Sequence, residues 1–242
     1  MLRLQHLQRH LHLPELPHQP LQLGDAAQKL HPLLLLQLFY VLFECLKDDR
    51  VTEVLGVSRK SSGVQHPKFR EYLVPDFLLL KENDPQLEGY DACFFCAGVS
   101  SIGMKEDDYF RNTYQTTLQF AKAIGPKEKC TFIYVSGSGT DSSEAGALKW
   151  ARVKGKTEND LIALPFKAVF GYRIGAVIPA ENQKFVLKYY QRLKWLMPLL
   201  KRAFPGTFST MRQVASSMIY FTIHGNSHPI IHIKDIKRVA EL

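Results

Sequence analysis

The chain has no hydrophobic run long enough to cross a bilayer. The stretch from Leu33 to Phe43 is eleven residues interrupted by Gln37, whereas a spanning helix needs about twenty. Cysteines are few: Cys45, Cys93, Cys96 and Cys130. Cys93-Phe-Phe-Cys96 has the spacing of a chelating pair, but it sits on an apolar stretch that reads as a buried strand. There residues three apart face opposite ways, and no second cysteine pair exists elsewhere. A zinc site and a redox pair are therefore not expected; buried thiols in a reducing compartment are. His6, His10 and His12 lack an acidic or thiol partner, so no metal is expected there either. No helix-turn-helix, zinc-finger or RNA-binding signature accompanies the positive charge, which argues against nucleic acid as a partner. Serine is absent from the first 32 residues. Pro14, Pro17 and Pro20 break any helix there, so Arg3 and Arg9 make only a poor mitochondrial presequence. A cytoplasmic location is the expectation, with the mitochondrion as the alternative.

What is present is an ordinary globular balance, 45% hydrophobic and 22% charged over 242 residues, enough for one substantial core. The net charge of +8 is unevenly spread. Residues 1–50 are neutral, and residues 181–204 carry Lys184, Lys188, Arg192, Lys194, Lys201 and Arg202 against Glu181 alone. The apolar spacing in residues 185–203 predicts a basic amphipathic helix, kinked at Pro198. It suits a cap or core helix, or peripheral contact with an anionic membrane surface.

Residues 1–32, rich in Leu, Gln, His and Pro, read as a disordered or atypical tail. The break in composition near residue 40 is what an altered reading frame or an unusual exon would produce. Residues 33–242 read as one domain, opening with a buried helix and closing with a helical cap at about 181–224. Between them, strands are expected at Val51–Val57, Tyr72–Pro75, Asp91–Cys96, Cys130–Ser136 and Lys167–Tyr172. Helices are expected at Lys105–Ile124 and Leu148–Leu164, with a further helical pattern over residues 209–224. Alternation of this kind predicts an α/β fold, a doubly wound parallel sheet with helices on both faces.

Five words in this order carry a resemblance: Val51-Thr-Glu-Val-Leu-Gly-Val-Ser-Arg59, Tyr90-Asp-Ala-Cys-Phe-Phe-Cys-Ala-Gly98, Tyr134-Val-Ser-Gly-Ser-Gly-Thr-Asp141, Trp150-Ala-Arg-Val-Lys-Gly-Lys-Thr-Glu158 and Tyr172-Arg-Ile-Gly175. Together they resemble an atypical short-chain dehydrogenase/reductase of the NAD-dependent epimerase/dehydratase type, including the Tat-interacting oxidoreductase-like proteins. The resemblance implies a Rossmann domain that binds NAD(P). Arg59, after the second strand, suits the extra phosphate of NADP, giving a weak preference over NAD. Asp76 lies beside the adenine; Ala97, Gly98 and Gly175 let the cofactor approach. Lys154 holds the nicotinamide ribose, and Ser136 or Ser138 polarises a substrate oxygen.

Two departures stand against this. The tyrosine of the family's Tyr-x-x-x-Lys pair is Trp150, and an indole N–H does not ionise near neutral pH. The glycines of the first β–α turn, projected back from the first helix, fall at Pro32, Leu35 and Leu38, and the first strand is missing or replaced. Three functions follow: an NADP-dependent oxidoreductase or epimerase acting on a small carbonyl or hydroxyl compound; a non-catalytic cofactor-binding regulatory protein; or a degenerate relative that binds no dinucleotide.

Overall fold

A computed structural model describes residues 1–4, 32–178, 202 and 207–240. The elements in chain order are β1 (Leu2–Leu4), α1 (Pro32–Lys47), β2 (Val51–Ser58), β3 (Phe69–Leu73), β4 (Ala92–Phe95), α2 (Glu106–Phe110), α3 (Thr116–Ala123), β5 (Thr131–Val135) and α4 (Lys149–Ile162). They continue with β6 (Ala168–Arg173), β7 (Ala176–Ile178), β8 (Phe208–Thr210), α5 (Met211–His224), β9 (Ile230–His232) and α6 (Ile233–Ala240). A single π turn, Arg111–Gln115, joins α2 to α3.

Seven strands form one sheet in the order β3-β2-β1-β4-β5-β6-β9, and β7 pairs with β8 apart from it. Alternation along the strands sends side chains into two cores. On β5, Phe132 and Tyr134 enter the core under α3 and α4, while Ile133 enters the one under α1, α5 and α6. Helices thus cover both faces, as the alternating pattern predicts.

The centre of the sheet departs from that prediction. β2 and β3 are parallel, as are β4, β5, β6 and β9. β1 runs antiparallel to both of its neighbours, with Leu2 opposite Val54 and Ala92, and Leu4 opposite Val51. The sheet is therefore mixed. The first four residues belong to it rather than to a tail; residues 5–31, the rest of the expected tail, lie outside the described residues. Leu2 alternates inward and is only 2% exposed. Arg3 turns outward, its guanidinium bonded to Glu53 and the Gly89 carbonyl. Main-chain bonds close both sides, from Leu55 N to Met1 O and from Asp91 N to Leu2 O, 2.9 and 2.8 Å.

Elsewhere the boundaries follow local chemistry. α5 starts at a capping box formed by Thr210 and Gln213 and ends at Gly225, whose φ of 70° suits glycine. The part of the expected cap that is described, α5, is a core helix packed beside α1. The expected helix at 185–203 lies outside the described residues, apart from Arg202. All four cysteines are buried and free.

Candidate functional site

β2, β4, β5 and β6 all end at the same edge of the sheet, its carboxyl edge, where a doubly wound fold binds its ligands. Arg59, Ala97, Gly98, Ser136, Ser138 and Gly175 follow these strand ends, and Lys154 reaches the same edge from α4.

The tightest part of the site lies between β5, β6 and α4. Lys154 Nζ donates to the Ser136 carbonyl. Ser136 is buried, and its hydroxyl donates to Glu158 Oε1 at 2.5 Å, with the Tyr172 carbonyl 3.2 Å away. Glu158 has a fully buried side chain, and Arg173 pairs with it at 2.6 Å. Arg173 also donates to Ser142 Oγ. Lys154 and Glu158 are one helical turn apart on α4, which puts both against the end of β5. Burial pulls the Lys154 ammonium down from its ordinary value to about 8, and the nearby Glu158 opposes that shift.

Two glycines make this packing possible. A Cβ on Gly155 would lie 1.7 Å from the Asp141 carbonyl oxygen, so only glycine lets the loop after β5 lie on α4. A Cβ on Gly171 would lie 2.6 Å from Glu158 Oε1, so the bare backbone of β6 makes room for the carboxylate. Sequence reasoning missed Glu158, Arg173, Gly155 and Gly171 as members of the site. The available signal was the Lys154–Glu158 spacing of four on one helix, followed by a glycine and an arginine two residues apart on the next strand.

The two candidate serines differ. The hydroxyl of Ser136 is committed to Glu158. Ser138 is exposed, and its main-chain N–H is fixed to the Ile174 carbonyl at 2.7 Å. Trp150 is half-buried, and a Cβ on Gly139 would come within 3.3 Å of its ring. It lines a cavity of about 190 Å³ with Ser101, Met104, Glu106, Tyr109 and Lys149. Glu106 and Lys149 are paired at 2.7 Å. Tyr109 is the phenol of this cavity, but burial raises its pKa, which makes it a weaker acid than free tyrosine.

The remaining residues are more dispersed. Arg59 is exposed just past β2. Asp76 caps the short 3-10 helix Phe77–Leu79, accepting from Leu78 N at 3.0 Å. Ala97 is exposed and Gly98 half-buried on the coil after β4. Beside Gly175 the space a side chain would take is already filled by the chain: its Cβ would meet the Thr207 carbonyl at 2.4 Å and Ile233 Cδ1 at 2.7 Å. Among the described residues no cluster of His, Cys, Asp and Glu is arranged to hold a metal.

No protein-family model and no curated protein matches the chain. Solved structures do. DesIV, a dTDP-glucose 4,6-dehydratase from Streptomyces venezuelae solved with NAD bound, superposes with a TM-score of 0.55 at 15% identity, covering 83% of this chain and 72% of that one. The chain has the fold of the short-chain dehydrogenase/reductases. A UDP-N-acetylglucosamine 4-epimerase from Methanobrevibacter ruminantium M1 gives 0.54 at 14% identity over 84% of this chain and 76% of that one. A glucuronic acid dehydrogenase from Chromohalobacter salexigens gives 0.52 at 13% over 74% of this chain, which spans just under two thirds, 66%, of its length. These three are enzymes of the NAD-dependent epimerase/dehydratase type, and at such identities the likeness establishes the architecture alone.

This dehydrogenase/reductase fold implies a nicotinamide dinucleotide, and the residues present fit it in two unequal halves. On the side where a nicotinamide would lie, Lys154 and Ser138 stand by the end of β5, and among the described residues a Cβ on Gly137 would meet only the Ile174 carbonyl oxygen and Lys154 Nζ, at 3.9 and 4.0 Å. On the diphosphate side, a cradle requires a glycine turn between the carboxyl end of a central strand and a helix N-terminus. β1 runs the other way and leaves the sheet at Leu4, opposite the first residue of β2. Its exit is at the amino edge, far from any diphosphate. The helix that would receive the phosphates, α1, begins Pro-Leu-Leu-Leu, with a proline that offers no N–H.

Proposed function

We propose that the chain is a dinucleotide-binding protein of the short-chain dehydrogenase/reductase type that holds NADP(H) in preference to NAD(H) and has lost the family's phenolic acid. The observation that carries this reading is Lys154, half-buried and fixed to the Ser136 carbonyl beside the exposed Ser138 at the carboxyl edge. A bound nicotinamide would supply or accept a hydride. Lys154 would hold its ribose hydroxyls, Ser138 would donate to a carbonyl oxygen, and Arg59 would meet the 2′-phosphate of NADP. Trp150 would wall off water and donate an N–H without releasing a proton. This favours a binding or regulatory role over turnover of a small carbonyl or hydroxyl substrate.

Calorimetric titration with NADPH and NADH tests the reading. Micromolar NADPH binding is expected, tighter than NADH, with the preference reversed in Arg59→Glu and the affinity reduced about tenfold or more in Lys154→Met. Trp150→Tyr is expected to restore slow NADPH oxidation with small aldehydes, measured by the loss of nicotinamide absorbance. A second reading, a relative that binds no dinucleotide, is favoured by the reversed β1. Absence of heat and of any thermal shift with either nucleotide would decide for it.

A further inference from the structure

The cavity at Trp150 is assembled from three pieces of chain. Ser101 and Met104 come from the coil after β4, Glu106 and Tyr109 from α2, and Lys149 and Trp150 from the first turn of α4. Its lining is mostly apolar. Met104, Tyr109 and Trp150 supply a thioether and two aromatic rings, and burial raises the pKa of Tyr109, so that phenol stays neutral. Ile102 and Leu148, the chain neighbours of Ser101 and Lys149, are 91% and 58% exposed and leave further apolar surface in water beside those residues.

The charges at the cavity do not balance. Glu106 is the only acid among the described lining residues, and it meets two cations, Lys149 at 2.7 Å and Arg152 at 3.5 Å. Arg152 is also tied to the Gly146 carbonyl at 2.7 Å. Lys149 has a side chain that is 67% exposed, and an ammonium with three N–H donors can take a second anion while keeping the first. One carboxylate against two cations favours a ligand with a negative group over one with a positive group. The volume of about 190 Å³ exceeds the roughly 150 Å³ that suffices for benzene. It falls short of the roughly 300 Å³ and more of a drug-sized site. One ring with a short tail fits; a sugar nucleotide is too large, and sugar hydroxyls would go unpaired against these walls.

We propose that this cavity binds a small aromatic carboxylate, its ring against Met104, Tyr109 and Trp150 and its carboxylate on Lys149. The ring gains contact with the indole, the phenol and the sulfur, and the carboxylate shares the Lys149 ammonium with Glu106. The inference goes beyond the nucleotide reading and needs no nucleotide.

The test uses the full chain without nucleotide and phenylacetate as the probe. The chain has two tryptophans, so Trp195→Phe leaves Trp150 as the only indole. Phenylacetate is expected to move its emission to the blue as the ring displaces water, saturating with a dissociation constant on the order of 0.1–1 mM. Calorimetry on the unaltered chain is expected to give the same constant. Phenethylamine, with the same ring and a cationic tail, is expected to bind at least about fivefold more weakly. Glu106→Gln releases Lys149 and is expected to tighten phenylacetate binding about three- to fivefold, a gain that a damaged fold does not produce; Lys149→Gln is expected to loosen it by about the same factor. Absence of a saturable shift and of heat with phenylacetate, equal binding of the amine, or a Glu106→Gln chain that binds no tighter would overturn the proposal. A chain that binds NADPH but not phenylacetate keeps the nucleotide reading and loses this one, and the reverse result does the opposite.

Discussion

The two halves of the sheet are built on different logic. From β4 to β9 every strand of the main sheet is parallel, and the carboxyl ends of β5 and β6 are tied by buried polar contacts, with Glu158 at the centre between Ser136 and Arg173. From β3 to β1 the corresponding ion pair is Glu53 with Arg3 and Arg70, whose arginines are 45% and 60% exposed. The first half holds the candidate site; the second holds a strand slot filled by a reversed segment. A fold can therefore retain its architecture when a central strand is replaced by a short reversed segment.

Four measurements break or sharpen this contrast. Glu158→Gln strands the Arg173 guanidinium and is expected to cost about 3–5 kcal/mol in urea unfolding. Leu2→Ala empties a buried position at the middle of the sheet and is expected to cost about 2–5 kcal/mol. A value near zero would mean that β1 contributes little to the sheet. Lys154 binds its proton less readily folded than unfolded, so between about pH 8 and pH 10.5 the unfolded chain carries the extra proton. Stability is then expected to rise with pH through that window, by on the order of 1–3 kcal/mol relative to Lys154→Met, and to stay flat in that difference below pH 7. Glu53→Gln, by contrast, is expected to cost less than about 1 kcal/mol, because its arginine partners are solvated.

Much of the half from β4 to β9 was legible in the sequence because its signals are local. Cys130–Ser136 alternates between two apolar faces and forms β5, and Leu148–Leu164 keeps a helical period up to Pro165 and forms α4. Lys154 was legible through its spacing from position 150. The choice between Ser136 and Ser138 was not, since it depends on Glu158, which reaches Ser136 from another element. β1 was illegible for a different reason. Three residues, Leu2-Arg-Leu4, carry no periodicity, and only pairing across 50 residues to Val51 and Val54 makes them a strand. β9 and α6 were missed in the same way: Ile230–His232 is short and gains its strand character from β6.

The reversal of β1 also gives the sheet a seam. β4, β5, β6 and β9 are joined by parallel ladders, and β2 with β3 by another, but within the sheet the two blocks are bridged by a strand of three residues, Leu2–Leu4. In most sheets the middle is the last place to open and the edges fray first. Here the midline is bridged by the shortest of ladders, so the side-chain cores that both blocks share above and below it, rather than the main chain, hold them as one body.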